Sequence, residues 1–235
     1  MQTIPNEETD TFTERHNQSI DYGIDFYAPQ TVVTPDGRRV MIGWMQNWDT
    51  CNSSTAERSW FGQMSLPREL SVKNGRLYQK PIRELEALRS SKVEHQDVTF
   101  SGNITLDGVK GRRVDMELAI RPGDEENVYR KFAVRFAQND QFYTALSFHP
   151  GDSVMKIDRK FSGSRRALIH QRRALVNSEN GKLKLRIILD RFSVEAFAND
   201  GEAAMTAVIR TDPRADGISF HSAGSVLLDL EKYDL

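Results

Sequence analysis

The stretch IDYGIDFYAPQTVVTPDGRRVMIGWMQNW, residues 20–48, decides the fold because it contains two strands and the turn between them. Residues 31–33 are β-branched and predict the first strand. Residues 40–44 are apolar and predict a returning strand buried on both faces. Residues 35–37 (Pro-Asp-Gly) predict a tight turn, since proline presets φ and glycine accepts positive φ. The stretch is therefore a β-hairpin.

This hairpin places Tyr27 and Trp44 at the same end, where a pocket can form. An aromatic ring can stack on the apolar C–H face of a sugar, and a phenol can also form a hydrogen bond. Ordinary core packing of two large aromatic residues is the alternative interpretation.

Two carboxylates, Asp21 and Asp25, stand just before the hairpin on either side of Gly23. Glycoside hydrolysis needs a carboxylate pair, because one group protonates the leaving oxygen while the other attacks or activates water. The alternative is that both accept hydrogen bonds from nearby backbone amides in Asx-turns. We favour Asx-turns over catalysis for both residues.

Further strands follow the hairpin as far as residue 80. Residues 60–72 predict a strand, and Asn74-Gly75 is a strong signal for a second hairpin. Residues 20–80 then supply about four strands, roughly one propeller blade and part of another. Residues 81–89 (PIRELEALR) change to a helical period, with proline suited to the first turn.

The remainder of the chain, residues 93–235, is predicted to be β throughout. Turn residues separate short strands, many of which alternate apolar and polar side chains, and this spacing predicts a two-sheet sandwich. We therefore expect an all-β chain with a propeller part at 1–80, a linker helix at 81–92 and a sandwich at 93–235. The candidate strands are 93–100, 114–120, 132–136, 142–148, 154–158, 167–170, 184–189, 193–198, 203–209, 217–221 and 226–233.

The composition is that of a soluble globular chain: 38% of the 235 residues are hydrophobic, 28% are charged and the net charge is −1. No positive excess indicates a nucleic acid or membrane partner. No apolar run reaches the roughly 18 residues of a membrane helix. The polar first residues lack the apolar segment of a signal peptide, and Cys51 is the only cysteine, so we expect a cytoplasmic location.

Metal and cofactor chemistry find no support in the sequence. The five histidines are isolated, without an HExxH motif or a Cys/His cluster, and no P-loop or GxGxxG motif occurs. We therefore expect no cofactor.

Three motifs together resemble glycoside hydrolase family 32, the invertase, levanase and sucrose-6-phosphate hydrolase family. They are DYGIDFYAPQ (21–30), IGWM (42–45) and WFGQMSLPREL (60–70). The similarity extends through residues 75–89 and resumes at 193–201. It implies a five-bladed β-propeller followed by a β-sandwich, and retaining hydrolysis of a terminal β-D-fructofuranosyl bond in sucrose, sucrose 6-phosphate or a fructan.

The resemblance also implies roles for single residues. It makes Asp25 a candidate ligand of a sugar hydroxyl and places Tyr27 and Trp44 near the fructose subsite. Trp48 and Trp60 flank a polar loop and are candidates for outer sugar subsites, with core packing favoured for Trp60.

The family's catalytic motifs are missing from this sequence. It contains no Asn-Asp-Pro for the nucleophile, no Arg-Asp-Pro for the transition-state stabiliser and no Glu-Cys for the acid/base. We therefore expect a C-terminal part of such an enzyme that is inactive alone. The alternatives are a non-catalytic carbohydrate-binding or oligomerisation module, and the C-terminal half of a split enzyme whose N-terminal half is made separately.

Arginine in this sequence has two interpretations. Arg68, beside Glu69 in LPREL, either contacts a sugar or phosphate or ties the propeller part to the sandwich, and we favour the tie. Four arginine pairs can be read as phosphosugar ligands, but solvated strand edges are the favoured interpretation. The pairs are Arg38-Arg39, Arg112-Arg113, Arg165-Arg166 and Arg172-Arg173.

Overall fold

The computed structural model of the protein describes residues 2–6, 11–16, 18–48, 62–124, 126–163 and 169–235. Within these ranges the regular elements are sixteen β-strands and three short 3₁₀ helices, which confirms the all-β prediction. The 3₁₀ helices are Arg83–Leu88, Pro150–Asp152 and Asn199–Gly201. The strands in chain order are β1 (Gln2–Asn6), β2 (Thr11–His16), β3 (Tyr27–Val33), β4 (Arg39–Trp44), β5 (Arg68–Lys73), β6 (Arg76–Pro81), β7 (Ser90–Ile104), β8 (Arg113–Pro122), β9 (Lys131–Gln138), β10 (Thr144–His149), β11 (Val154–Asp158), β12 (Gln171–Leu175), β13 (Leu183–Asp190), β14 (Ser193–Ala198), β15 (Ala203–Val208) and β16 (Gly217–Asp234).

The predicted hairpin is the start of a four-stranded antiparallel sheet in the order β3-β4-β5-β6. Its turn closes where Gly37 N donates to Thr34 O at 2.9 Å, and Tyr27 lies opposite Trp44 in the register. The expectation that β4 is buried on both faces is wrong, because Ile42 is 36% exposed. β1 and β2 pair as a separate hairpin.

The later strands form one ten-stranded, nearly closed sheet in the order β12-β11-β10-β9-β16-β8-β13-β14-β15, with β7 paired to β16. The eighteen residues of β16 join the two predicted strands 217–221 and 226–233, and its pairing with β7 shifts register between Ser222 and Val226. β16 pairs with β7, β8 and β9, and the two-sheet sandwich stays a prediction. The strand expected at 167–170 is found instead at β12, and residues 167 and 168 lie outside the described residues.

The apolar core lies inside the ten-stranded sheet. The alternation of β13 shows the local cause, because Leu183, Leu185 and Ile187 are buried while Lys184 is exposed. Phe132 and Phe220 stack with ring centroids 6.3 Å apart and are each 1% exposed.

The four-stranded sheet is attached to the ten-stranded sheet through residues 21–25. Tyr22 N donates to Ala204 O at 2.9 Å and Ile24 N to Thr206 O at 2.7 Å, so this segment covers the edge of β15. Gly23 is required at this approach, because a Cβ there would overlap the backbone of Thr206. A small second apolar cluster, Leu85 with Ile188, Phe197 and Ala204, supports the contact.

The four-stranded sheet and the loop before β5 leave several large apolar side chains exposed. β3 is its edge strand, and nearly all of its residues are exposed. The exposed apolar residues of this part of the chain include Tyr27, Val32, Val33, Ile42, Met64 and Val72, at 36–64% exposure. The exposure is therefore concentrated on the edge strand β3, where the adjacent Val32 and Val33 are both more than half exposed although they point to opposite faces.

Candidate functional site

An exposed pair of aromatic rings lies at the end of the hairpin where a pocket is predicted. Tyr27 opens β3, and its ring lies edge-on to Trp48, with centroids 5.4 Å apart and planes at 71°. Tyr27 is 46% and Trp48 71% exposed, while Trp44 is half-buried beside them. We call Tyr27 and Trp48 the aromatic ledge. Trp60 lies outside the described residues.

Asp25 lies behind this ledge and is fully buried. Its Oδ2 accepts hydrogen bonds from Arg159 Nη1 at 2.5 Å and from Val208 N at 2.7 Å. Its Oδ1 accepts one from Asn47 Nδ2. The carboxylate thus joins the ten-stranded sheet to the residue next to Trp48, and its role as a sugar ligand stays a prediction.

Asp21 makes the expected Asx-turn, since its Oδ1 accepts from Gly23 N at 2.7 Å. The same oxygen accepts from Thr206 N at 3.0 Å, and Oδ2 accepts from Thr206 Oγ1 at 2.7 Å. Asp21 and Asp25 therefore accept hydrogen bonds from the backbone amides of Thr206 and Val208, respectively, on the edge strand β15. Both carboxylates point into the protein and are 1% exposed, so neither faces a substrate here.

Arg68 is the centre of the second buried polar network, which confirms its predicted structural role. Its guanidinium donates to Glu195 Oε2 at 2.9 and 2.6 Å, to Asp21 Oδ2 at 3.0 Å and to Thr206 Oγ1 at 2.6 Å. It also lies between the rings of Phe26 and Phe197, 4.6 and 5.2 Å from their centroids. One arginine thus ties β5 to β14, β15 and the segment before the hairpin.

Glu195 is buried opposite this arginine. Burial raises the pKa of Glu195 above its ordinary value, and the charge of Arg68 and the Leu66 amide oppose that rise. Sequence analysis missed Glu195 and Arg159 as partners of Arg68 and Asp25. The sequence does contain a sign that Glu195 is a buried partner, because it is the one acidic residue in the largely apolar strand SVEAFA.

A second charged group holds the outside of the four-stranded sheet. Glu69 accepts from Arg83 at 2.9 and 2.8 Å and from Arg38 at 2.8 Å. Hydrogen bonds from Arg83 lower the pKa of Glu69 to about 2. Arg38 also pairs with Glu84 at 2.5 Å, so the turn, β5 and the 3₁₀ helix are joined.

The arginine pairs have mixed surroundings. Arg112 is buried rather than at a solvated edge, and its guanidinium donates to the carbonyls of Asp212 at 3.1 Å and Ala215 at 3.2 Å. Arg172 is exposed on the edge strand β12 as expected, whereas the Arg38 side chain is only 18% exposed and pairs with three carboxylates. Arg165 and Arg166 lie outside the described residues.

A groove of about 760 Å³ runs between the two sheets, away from the aromatic ledge. Charged side chains of both signs line it, and Lys80 pairs with Asp200 across its rim at 3.0 Å. Among the described residues that line the groove, Phe197 is the only aromatic one. The groove therefore offers hydrogen bonds but little stacking surface.

Metal clusters and membrane helices are both absent from the described ranges. No group of three or more His, Cys, Asp or Glu side chains among those residues could hold a metal ion. None of the helices described there is long and apolar enough to cross a membrane.

Comparisons with known proteins agree with this geometry. The family model "Glycosyl hydrolases family 32 N-terminal domain" matches residues 3–81, and "Glycosyl hydrolases family 32 C terminal" matches residues 84–234. Sucrose-6-phosphate hydrolase of Staphylococcus xylosus is 33% identical over 219 residues, 92% of this chain and 43% of that protein. Levanase of Bacillus sp. (strain L7) is 34% identical over 218 residues, 87% of this chain and 23% of that protein.

A solved structure shows the same fold. Sucrose-6-phosphate hydrolase from Lactobacillus gasseri superposes with a TM-score of 0.80 at 24% identity, covering 99% of this chain and 46% of that one. The chain thus spans less than half the length of each of these three relatives. On the family matches, which together cover nearly all of its residues, this chain belongs to glycoside hydrolase family 32.

Proposed function

We propose that this chain is the C-terminal part of a β-fructofuranosidase that acts on sucrose, sucrose 6-phosphate or a fructan. The observation that carries the proposal is the aromatic ledge, which stands beside Trp44 in the segment matched by the family's N-terminal model. Two exposed rings at one end of a hairpin suit stacking on the C–H face of a sugar. The names of the relatives, sucrose-6-phosphate hydrolase and levanase, support the substrate class.

In this proposal the parent enzyme has the family's architecture, a five-bladed propeller followed by a β-sandwich. The four-stranded sheet at 1–80 belongs to the propeller, residues 81–92 link the domains, and residues 93–235 form the sandwich. The reaction is retaining hydrolysis through a covalent fructosyl-enzyme on an aspartate, with a glutamate as acid/base. Those carboxylates come from outside this chain, since Asp21 and Asp25 are occupied in buried ion pairs.

The contribution of this chain is the wall of the fructosyl pocket. Tyr27 and Trp48 provide stacking surface, and Trp44 closes the pocket behind them. Asp25 supports this wall from the protein interior. It accepts a hydrogen bond from Asn47, the neighbour of Trp48, and is itself paired with Arg159.

Fructose release by the purified chain tests the fragment part of the proposal. With sucrose, sucrose 6-phosphate and inulin as substrates, we expect no release above that of buffer. The loss of a nucleophile alone can cost an enzyme about 10⁶ in kcat, and this sequence contains none of the family's three catalytic motifs. Turnover by the chain alone would overturn the proposal that catalysis is supplied from elsewhere.

Sugar contact tests the pocket-wall part. In saturation-transfer NMR with fructose and sucrose, we expect transfer from the ring protons of Tyr27 and Trp48. Trp48→Ala should weaken binding about fivefold, the scale of one aromatic contact. Phe161→Ala is the matched control, because Phe161 is also exposed, at 43%, but lies in the turn after β11, where its ring stacks on Tyr143. Equal loss in both variants would contradict the assignment.

The exposed apolar edge strand β3 favours a second candidate, the C-terminal half of a split enzyme. Val32 and Val33 on the edge strand are more than half exposed, and an unpaired apolar edge readily takes up further strands. Mixing the chain with a separately made N-terminal propeller portion should then produce fructose release that neither part shows alone. A stable 1:1 complex without turnover, or dimerisation of this chain only, would count against the split enzyme.

A further inference from the structure

The outer face of the ten-stranded sheet carries a group of polar side chains around Ser147. In β10, Leu146 and Phe148 point into the core and are each 1% exposed. Because side chains alternate along a strand, Ser147 and His149 point to the opposite, outer face. This face belongs to the part of the sheet ordered β16-β9-β10-β11-β12.

The register of the sheet brings three cations to this point. Lys156 of β11 lies directly opposite Ser147, and Arg173 of β12 lies directly opposite Lys156. On the other side, Ser147 pairs with Ala133 of β9, and Lys131 lies two residues further along the same face. Directly opposed and diagonal positions of adjacent strands are within reach of long side chains.

These cations are only partly neutralised by the protein. Lys156 pairs with Asp158 at 3.3 Å, and Asp158 also accepts from Gln171 at 2.6 Å. Neither Lys131 nor Arg173 has an ion pair with any carboxylate in the described part of the chain. Like charges on neighbouring strands destabilise a sheet, so the arrangement is costly unless an anion occupies it.

Ser147 provides an independent sign of a missing ligand. It is 4% exposed, and its Oγ has no hydrogen-bond partner among the described residues. Buried hydroxyl groups are normally paired, and an unpaired one calls for an explanation. The register sets Ser147 between Ala133 and Lys156, so its hydroxyl belongs to the same face of the sheet as the cations.

We propose that Lys131, Lys156, Arg173 and the Ser147 hydroxyl form a binding site for a phosphate group, either free phosphate or a phosphate monoester. Arginine and lysine are the residues that bind phosphate oxygens, and each bond to an ionised acceptor is stronger than a neutral one. Ser147 Oγ–H donates to one oxygen from the floor of the site, and the three cations approach from above. His149 stands beside it, two residues from Ser147 on the same face.

His149 reports on the occupancy of this site. Burial lowers the pKa of His149, as do Lys131, Lys156 and Arg173, whereas Asp152 raises it. A bound phosphate dianion offsets the three cations and therefore raises the pKa of His149. The groups facing the imidazole are Lys131 from β9, Lys156 from β11, Arg173 from β12 and Asp152 from the 3₁₀ helix after β10.

The test is an NMR titration of His149 in the full chain with inorganic phosphate, at constant ionic strength maintained with chloride. His149→Gln identifies the resonance by its absence. We expect a saturable rise of the His149 pKa by at least about 0.5 unit. A parallel titration with glucose 6-phosphate separates the two sources. If glucose 6-phosphate binds more tightly, the ligand of the site is a phosphorylated sugar. If inorganic phosphate binds as tightly or more tightly, the ligand is the free ion.

Three variants sharpen this test. Ser147→Ala should weaken phosphate binding about tenfold, the effect of one hydrogen bond to a charged group, without changing the fold. Lys131→Met should raise the His149 pKa without phosphate and abolish the phosphate-dependent rise. Lys182→Met, in an exposed turn, is the matched control and should bind as the unmodified protein does. The proposal is overturned if chloride alone shifts His149 equally, or if Ser147→Ala and Lys131→Met bind phosphate normally.

Discussion

The two sheets of this chain are stabilised by different means. The ten-stranded sheet encloses an extensive apolar core, to which Ile24 is the one buried contributor from the described residues before the linker. The four-stranded sheet instead rests on two buried charge networks centred on Arg68 and Arg159, with a small apolar cluster beside them. Its edge strand β3 is exposed over nearly all of its residues.

This difference assigns each sheet a role. A closed apolar core can fold independently, because a domain of about 140 residues buries enough surface. A small four-stranded sheet with an exposed edge strand depends on what it packs against. The large sheet is therefore the support, and the small sheet, which carries the aromatic ledge, is the part that it positions.

The largest effect in this comparison is expected from a core substitution. Phe220→Ala removes a ring that is 1% exposed and stacked on Phe132. It should lower the free energy of unfolding by about 4 kcal/mol, the usual cost of a buried phenylalanine. Urea denaturation followed by far-UV circular dichroism measures this change. If the free energy of unfolding falls by less than about 1 kcal/mol, this core is not what supports the fold.

Arg68→Met tests the attachment rather than the support. It leaves Asp21 and Glu195 buried without their cation and should destabilise the four-stranded sheet by about 3 kcal/mol. We expect early loss of structure in β5 and β6, seen as a separate first phase in limited proteolysis. The exposed Arg76→Met, in β6, is the control and should not produce this phase.

Glu195→Gln should have a smaller effect, about 1 kcal/mol near neutral pH, since the amide keeps an acceptor for Leu66 N. Burial raises the folded pKa of Glu195, so its contribution to stability is full below the ordinary value of 4.5 and falls as pH rises through the folded pKa. The variant should therefore lose less stability than the unmodified protein as pH rises. A difference that grows with pH would contradict this sign.

The smallest effect belongs to the exposed group around Glu69. Hydrogen bonds from Arg83 lower the folded pKa of Glu69 to about 2, so its contribution is present above 4.5 and disappears as pH falls from 4.5 to 2. Thermal unfolding between these pH values should show a small loss in the unmodified protein. Arg83→Ala should remove much of that dependence, and an unchanged pH profile would rule out this pair as its source.

Sequence analysis predicted the parts that local chemistry determines. Pro35-Asp36-Gly37 fixed the hairpin, and the hairpin fixed Tyr27 opposite Trp44. The Asx-turn of Asp21 and the structural role of Arg68 also followed from residue type and position. These features depend on neighbours in sequence or on a single charge in an apolar context.

Long-range pairings could not be predicted in this way. Asp25 and Arg159 are separated by 134 residues, and no period or motif connects them. The continuity of β16 was missed because Ala223-Gly224-Ser225 resembles a turn, whereas the strand passes through it with a shift in register. The burial of both aspartates depends on contact with β15, which the sequence before the hairpin does not reveal.

The central claim is that the ten-stranded sheet holds the aromatic ledge in place through Arg159 and Asp25. Hydrogen–deuterium exchange of Arg159→Met against the unmodified protein tests it most directly, with Arg159→Lys as the variant that keeps the charge. We predict faster exchange in β3 and β4 with unchanged protection in β8 and β13. Unchanged exchange in β3 and β4, or equal acceleration in all four strands, would contradict the claim.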